Sequence, residues 1–154
     1  MLFVFASLCS VANEADTQIE LQTAGLTGDV HFSYGKRVFE HHIFSIGIGG
    51  VIESKTHDDM LIYSLKYRYS FMQNIPFDIS KSHFNWEPAS FSITAIQGQD
   101  KDLYSSLPEG IPDGYYPPSA YRIIFGMQST LHLSPKYQVY WDWSVLDVGL
   151  INFA

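Results

Sequence analysis

Residues 59–71, DMLIYSLKYRYSF, alternate between large apolar side chains and side chains that are mostly polar. The apolar set is Leu61, Tyr63, Leu65, Tyr67, Tyr69 and Phe71, and the intervening set is Ile62, Ser64, Lys66, Arg68 and Ser70. A period of two is that of a β-strand whose two faces meet different surroundings. At about 3.3 Å per residue, this strand is long enough to cross a bilayer at a tilt, which takes roughly 9–11 residues.

The same alternation recurs along the rest of the chain. Further strands are predicted at 18–24, 30–35, 39–51, 90–97, 120–133 and 138–153, with longer connections at 53–58, 72–88 and 98–119. No segment shows a convincing apolar stripe of helical period. The pattern predicts an all-β protein folded as an antiparallel up-and-down β-barrel of about eight strands. Seven strands are counted, and because closure needs a partner for every edge, we expect the last strand to be missing from this chain.

The composition limits the class of protein. The 154 residues fit one domain, and a hydrophobic fraction of 46% with 16% aromatic residues excludes a disordered chain. A formal net charge of −7 argues against nucleic acid as a partner. The one cysteine, Cys9, excludes a disulfide framework and a cysteine-based zinc site. No motif indicates another metal site or a cofactor, so none is predicted.

The first residues have the properties of a signal peptide. Residues 2–11, LFVFASLCSV, are uncharged and too few to span a bilayer as a helix. Ser10 and Ala12 are small residues at the −3 and −1 positions of one candidate signal-peptidase site, and Asn13-Glu14-Ala15 is a second candidate. We therefore predict a signal peptide over residues 1–15 and a β-barrel domain over 16–154. The alternative is a buried N-terminal strand.

The orientation of the two faces separates two architectures. In a soluble barrel the apolar face points inward, whereas in an outer-membrane barrel it meets lipid and the polar face fills the lumen. Gly47, Gly49 and Gly126 lie on the polar face, where small residues suit a crowded barrel interior. Aromatic residues gather near the strand ends, as at membrane interfaces. We therefore predict a barrel in the outer membrane of a Gram-negative bacterium, with outer-membrane lipid as its partner. A soluble, periplasmic, lipocalin-like binder is the alternative.

The polar face supplies a candidate lumen cluster. Its members are Lys66, Arg68, Arg122, Gln128, His132 and Asp142. Buried charges need partners, so we expect Asp142, and also Glu20, to neutralise part of the basic set. An eight-stranded barrel is just wide enough for its own side chains to fill it, which predicts a plugged lumen. The alternatives are a conducting pore and a small anion site, and a small-molecule or lipid ligand is compatible with the pattern.

Three motifs resemble a known family. They are HDDMLIYSLKYRY at 57–69, PDGYYPPSAYRIIFG at 112–126 and YWDWSVLDVGLINF at 140–153. Their order is similar to that in a family of small, poorly characterised bacterial outer-membrane β-barrel proteins. Two features depart from the family pattern: Asp142 stands where glutamate is expected, and the final strand is missing. The resemblance implies a location and a fold, with no reaction attached.

A weaker resemblance concerns the His-x-Ser pairs at His31–Ser33 and His132–Ser134, which put both side chains of each pair on one face. These pairs are similar to those of the lipid A 3-O-deacylases, which are small outer-membrane barrels. A tight turn after His132 would bring Asp142 diagonal to it as the acid. That family continues His-x-Ser with asparagine, whereas Tyr34 and Pro135 follow here. A lipid-modifying esterase is therefore an alternative, and the favoured role is non-enzymatic, either structural or in surface interaction.

Overall fold

The computed structural model describes residues 3–13, 16–23, 26–52, 59–80, 82–99 and 120–147. These residues form nine β-strands, which are β1 (Phe3–Asn13), β2 (Thr17–Thr23), β3 (Val30–Phe39), β4 (His42–Val51), β5 (Met60–Tyr69), β6 (Ile75–Ile79), β7 (Ser82–Gln99), β8 (Tyr121–His132) and β9 (Tyr137–Leu146). None of the described residues belongs to a helix long and apolar enough to cross a membrane.

Eight of these strands form an antiparallel barrel. Consecutive strands β1 to β5 pair with each other, β5 pairs with β7, and β7, β8 and β9 continue the sheet to β1. Strand β6 pairs only with the first residues of β7, so the β6–β7 hairpin extends one end of the barrel. The predicted all-β antiparallel barrel of about eight strands is thereby confirmed.

The N-terminal segment supplies the eighth strand of this barrel. Strand β1 lies between β2 and β9, with Val11 opposite Ile19 on one side and Tyr137 on the other. The predicted signal peptide covers the same residues, so its cleavage would remove β1 from the barrel. Strand β6 and the first part of β7 lie where the sequence predicted an irregular connection at 72–88. The predicted loop at 98–119 lies outside the described residues beyond Gln99.

The two faces of the sheet differ in polarity. Large apolar side chains point outward: Ile46 is 63% exposed and its cross-strand neighbour Leu65 is 55% exposed. The alternate positions point inward, and Lys66 and Arg68 are only 9% and 3% exposed. The interior of this barrel is therefore polar, as the alternation predicts, and its outer surface is apolar.

The barrel has two different ends. At one end, which we call the turn end, β3 joins β4 and β8 joins β9 through short turns, and the β6–β7 hairpin lies beside them. At the opposite end, which we call the loop end, the longer connections 52–59 and 100–120 join β4 to β5 and β7 to β8.

Glycines on the inner face make room for larger neighbours. A Cβ atom on Gly47 would lie 2.5 Å from His31 Nε2 and 2.7 Å from Ser64 Oγ. Because Gly47 has no side chain, His31 and Ser64 can meet across strand β4, where they form a 2.7 Å hydrogen bond. At Gly126, a Cβ atom would lie within 3.0 Å of Ser92, Ser144 and Asp142.

We expect Gly47→Ala to destabilise the barrel by about 1–3 kcal/mol, because the new methyl group overlaps two buried side chains. Gly50→Ala is the matched control, since the nearest atom to its added Cβ is the Met60 carbonyl oxygen at 3.6 Å. The free energy of unfolding in denaturant, measured in detergent micelles, checks the difference. Equal effects of the two substitutions would show that the interior is not closely packed at Gly47.

Candidate functional site

The inner faces of β5, β8 and β9 place Lys66, Gln128 and Asp142 in contact. Lys66 Nζ donates a 2.9 Å hydrogen bond to Gln128 Oε1 and forms an ion pair with Asp142 Oδ2 at 3.4 Å. The same ammonium group lies 5.4 Å from the ring centre of Tyr140, within cation–π range. Asp142 also accepts a hydrogen bond from the Ser144 hydroxyl. These groups cross the barrel and join strands that are not neighbours in the sheet.

A second network surrounds Arg68. Arg68 Nη2 donates to Gln18 Oε1 at 3.3 Å, and Arg68 Nη1 lies 4.0 Å from Glu20 Oε1. Glu20 also accepts hydrogen bonds from the Gln18 amide and, at 3.4 Å, from the Ser33 hydroxyl. Each buried cation in the centre of the barrel thus has one carboxylate as its partner, the arrangement expected from the cost of burying an isolated charge.

The remaining basic member of the predicted cluster lies apart from these networks. Arg122 is half-buried near the loop end, where its Nη1 atom donates to the backbone oxygen of Tyr121 at 2.7 Å. Gln128 and Arg122 are on the same face of β8, but six residues separate them, which is about 20 Å at roughly 3.4 Å per residue. The alternation predicted the shared face, and the place of Arg122 near the loop end follows from its position at the start of β8.

The first predicted His-x-Ser pair does not form a hydrogen-bonded pair. His31 Nε2 bonds to the Ser64 hydroxyl of β5, whereas the Ser33 hydroxyl donates to Glu20. His31 and Ser33 are 5% and 2% exposed, so both are enclosed by the barrel. Alternation placed the two side chains on one face correctly, but Ser64 on β5 engages His31 and Glu20 on the adjacent strand β2 engages Ser33.

The second predicted constellation is wrong in its geometry. Ser134 lies in the β8–β9 turn, where its hydroxyl oxygen accepts from the backbone N–H groups of Lys136 and Tyr137 at 3.3 and 3.1 Å. The four-residue turn sets His132 opposite Gln138, and Asp142 therefore falls opposite Gln128. Asp142 is about 13 Å along the strand from the level of His132, at roughly 3.4 Å per residue, and cannot orient its ring.

Among the described residues, the centre of the barrel contains one small cavity next to the ion pairs. The cavity between Glu20, His31, Lys66 and Asp142 has a volume of about 20 Å³. That volume accommodates about one water molecule. Among the described residues, no group of three histidine, cysteine, aspartate or glutamate side chains is placed to hold a metal ion.

The turn end is more open and contains an interior carboxylate that the alternation did not predict. Between Glu87 and Ser90 the pairing of β7 with β8 shifts by one residue, which is a β-bulge at Pro88 and Ala89. The bulge reverses the alternation, so Glu87 and Ser90 both point inward and are 5% and 0% exposed. A proline inside a strand is a known signal for such a bulge.

Comparison of the chain with family models, with curated proteins and with solved structures gives no match. Inference about function therefore rests on the geometry and chemistry of the barrel. The two resemblances drawn from sequence motifs stay expectations.

We expect Asp142→Asn to cost about 3–5 kcal/mol in unfolding free energy, because it leaves the Lys66 ammonium buried without its carboxylate. The matched control is Asp78→Asn, which removes a carboxylate from an exposed pair with His83 at 2.5 Å and should cost less than about 1 kcal/mol. Denaturant titration followed by tryptophan fluorescence measures both. If the two substitutions have the same cost, the Lys66–Asp142 pair does not stabilise the interior.

Proposed function

We propose that this chain is an integral β-barrel of the outer membrane of a Gram-negative bacterium, with a structural or surface-interaction role and a plugged lumen. The observation that carries the proposal is the inversion of the two faces, with apolar side chains outside and paired charges inside. The outward side chains of strands β2 to β5 include Ile19, Leu21, Phe32, Tyr34, Phe44, Ile46, Ile48, Leu61, Tyr63 and Leu65, which are 38–63% exposed.

An apolar surface of this extent is unfavourable in water. Soluble monomers rarely expose a continuous apolar patch larger than a few hundred Å². Contact with lipid tails removes that cost, because every backbone group of a closed sheet is paired within the protein. In contrast, a soluble lipocalin-like binder needs an apolar cavity, and the centre of this barrel contains serine, threonine, glutamine and ion pairs.

Aromatic residues toward both ends of the outer face support the same placement. Tyr69, Trp86 and Tyr137 are exposed toward the turn end, and Tyr63 and Tyr121 are exposed toward the loop end. Tyrosine and tryptophan are enriched at the two interfaces of membrane proteins, where one part of the ring is apolar and the other is hydrated.

The filled interior argues against an esterase that works inside the barrel. Ser33 and Ser134 are engaged by Glu20 and by the backbone of a turn, and Ser64, which does contact His31, borders a cavity of about 20 Å³. An acyl chain does not fit in that space. The geometry thus favours a structural role over catalysis in the lumen.

We expect vesicles containing the purified protein to remain impermeable to potassium ions, because paired side chains occupy the lumen. A potassium-selective electrode measures release of the ion from preloaded phosphatidylcholine vesicles. Protein-free vesicles are the control, and rapid release that scales with the protein content would contradict a plugged lumen.

We expect Leu65→Arg to destabilise the protein in dilauroylphosphatidylcholine vesicles by about 2–4 kcal/mol, the cost of arginine on the lipid face near the bilayer midplane. Leu65 lies in the middle of β5. The matched control is Ile79→Arg in the β6–β7 hairpin, where the side chain is 61% exposed and the expected cost is at most about 1 kcal/mol.

Guanidinium titration of the vesicle-inserted protein gives both free energies, and heat-modifiable migration on a detergent gel reports the folded barrel. A soluble barrel would place both arginines in water, where surface substitutions change stability by about 0.5 kcal/mol or less. Two equally small effects, or a folded protein that is extracted into buffer without detergent, would overturn the proposed function.

A further inference from the structure

The turn end contains a cavity of about 260 Å³ that is separate from the filled centre of the barrel. Residues of the β3–β4 turn, of the segment after β5, of β7 and of β8 line it, among them Arg37, Glu40, Met72, Asn74, Glu87 and His132. We call this cavity the vestibule. Cavities that hold drug-sized ligands have about 300–1,000 Å³, so the vestibule suits a smaller molecule.

Glu87 at the vestibule wall is buried with one carboxylate oxygen lacking a hydrogen-bond partner among the described residues, and its nearest ionisable neighbours include His132, with which it interacts electrostatically. The residue is 5% exposed, and its Oε1 atom has no hydrogen-bond partner among the described residues. Its carboxylate forms no ion pair within 4.0 Å in the part of the chain that the structure describes. In this respect Glu87 differs from the other interior carboxylates, Glu20 and Asp142, which both contact cations.

An unpaired buried carboxylate is costly unless something binds to it. The bulge at Pro88 and Ala89 is what points Glu87 inward, and bulges in barrels frequently lie at the rim, where they redirect a side chain toward a site. Arg37, which also lines the vestibule, donates through Nη1 to the backbone oxygen of Glu40 at 2.7 Å.

The charges and shape of the vestibule select a class of ligand. The ionisable side chains that line it are two carboxylates, Glu40 and Glu87, one guanidinium group, Arg37, and the imidazoles of His41 and His132. A positively charged group of the ligand would form a charge-assisted hydrogen bond with the Glu87 carboxylate. The thioether side chain of Met72 and the amide of Asn74 supply an apolar contact and a polar contact for the rest of the molecule.

From this arrangement we propose that the vestibule binds a small alkylammonium cation, with the ammonium group on the Glu87 carboxylate and the alkyl chain against Met72. A metal ion is less well served, because no three metal-ligating side chains converge among the described residues. The site depends on the rim of the barrel and not on the surrounding lipid, so its test is independent of the proposed membrane location.

The test is isothermal titration of the folded full-length protein in detergent micelles with n-butylammonium chloride. Sodium butyrate and n-butanol are the matched anionic and neutral probes. We expect n-butylammonium to bind and Glu87→Gln to weaken that binding by about ten-fold or more, because a hydrogen bond to a charged group is lost. Asp59→Asn, which removes an exposed carboxylate at the loop end, should leave the affinity unchanged.

A second variant tests the site without changing a buried residue. Asn74→Lys places an ammonium group on an exposed position of the vestibule wall, where it should compete with the probe and weaken binding. The proposal is overturned if n-butylammonium does not bind, if butyrate or butanol binds equally well, or if neither Glu87→Gln nor Asn74→Lys weakens binding. The vesicle measurements on Leu65→Arg report on the membrane location and are unaffected by any of these results.

Discussion

The narrow interior of the barrel is the constraint on which the rest of the structure depends. Eight strands enclose a space that side chains alone can fill, so every large inward residue needs a small one opposite and every inward charge needs a partner. Gly47 meets the first requirement by letting His31 reach Ser64, and the Lys66–Asp142 pair meets the second. A closed ring of paired backbone groups then leaves the apolar side chains on the outside, which is the arrangement on which the proposed membrane location rests.

This constraint also determines where the protein can act. The cavity beside His31 and Ser64 has a volume of about 20 Å³, and the Ser33 hydroxyl is engaged by Glu20 instead of by His31. The surfaces that stay available are the apolar exterior and the two ends. The turn end contains the vestibule. Glu87, the interior carboxylate that forms no ion pair within 4.0 Å among the described residues, borders that cavity. Function is therefore to be sought at the rim and on the exterior.

The β-bulge at Pro88 and Ala89 shows how a local irregularity changes the chemistry of a regular sheet. Without it, the alternation of β7 would direct Glu87 outward with Phe91 and Ile93, onto the apolar outer face of the barrel. One extra residue reverses the face and encloses the carboxylate. The same shift leaves the Ser90 side chain inside, where its hydroxyl donates to the backbone oxygen of Gln128 at 3.2 Å. From Ser90 to Gln97 the pairing of β7 with β8 is regular.

The sequence by itself determined which side chains share a face, because a strand repeats every two residues wherever it pairs. From that period alone came the all-β barrel, the inward set Lys66, Arg68, Gln128 and Asp142, and the expectation that Asp142 and Glu20 balance the cations. Only the tertiary structure decided which members of a face touch. Contact across a barrel depends on register, and register depends on turn lengths and bulges that a period of two does not contain. The four-residue turn after His132 moved Asp142 away from it, and β1 took the position for which the alternation had required a strand beyond residue 154.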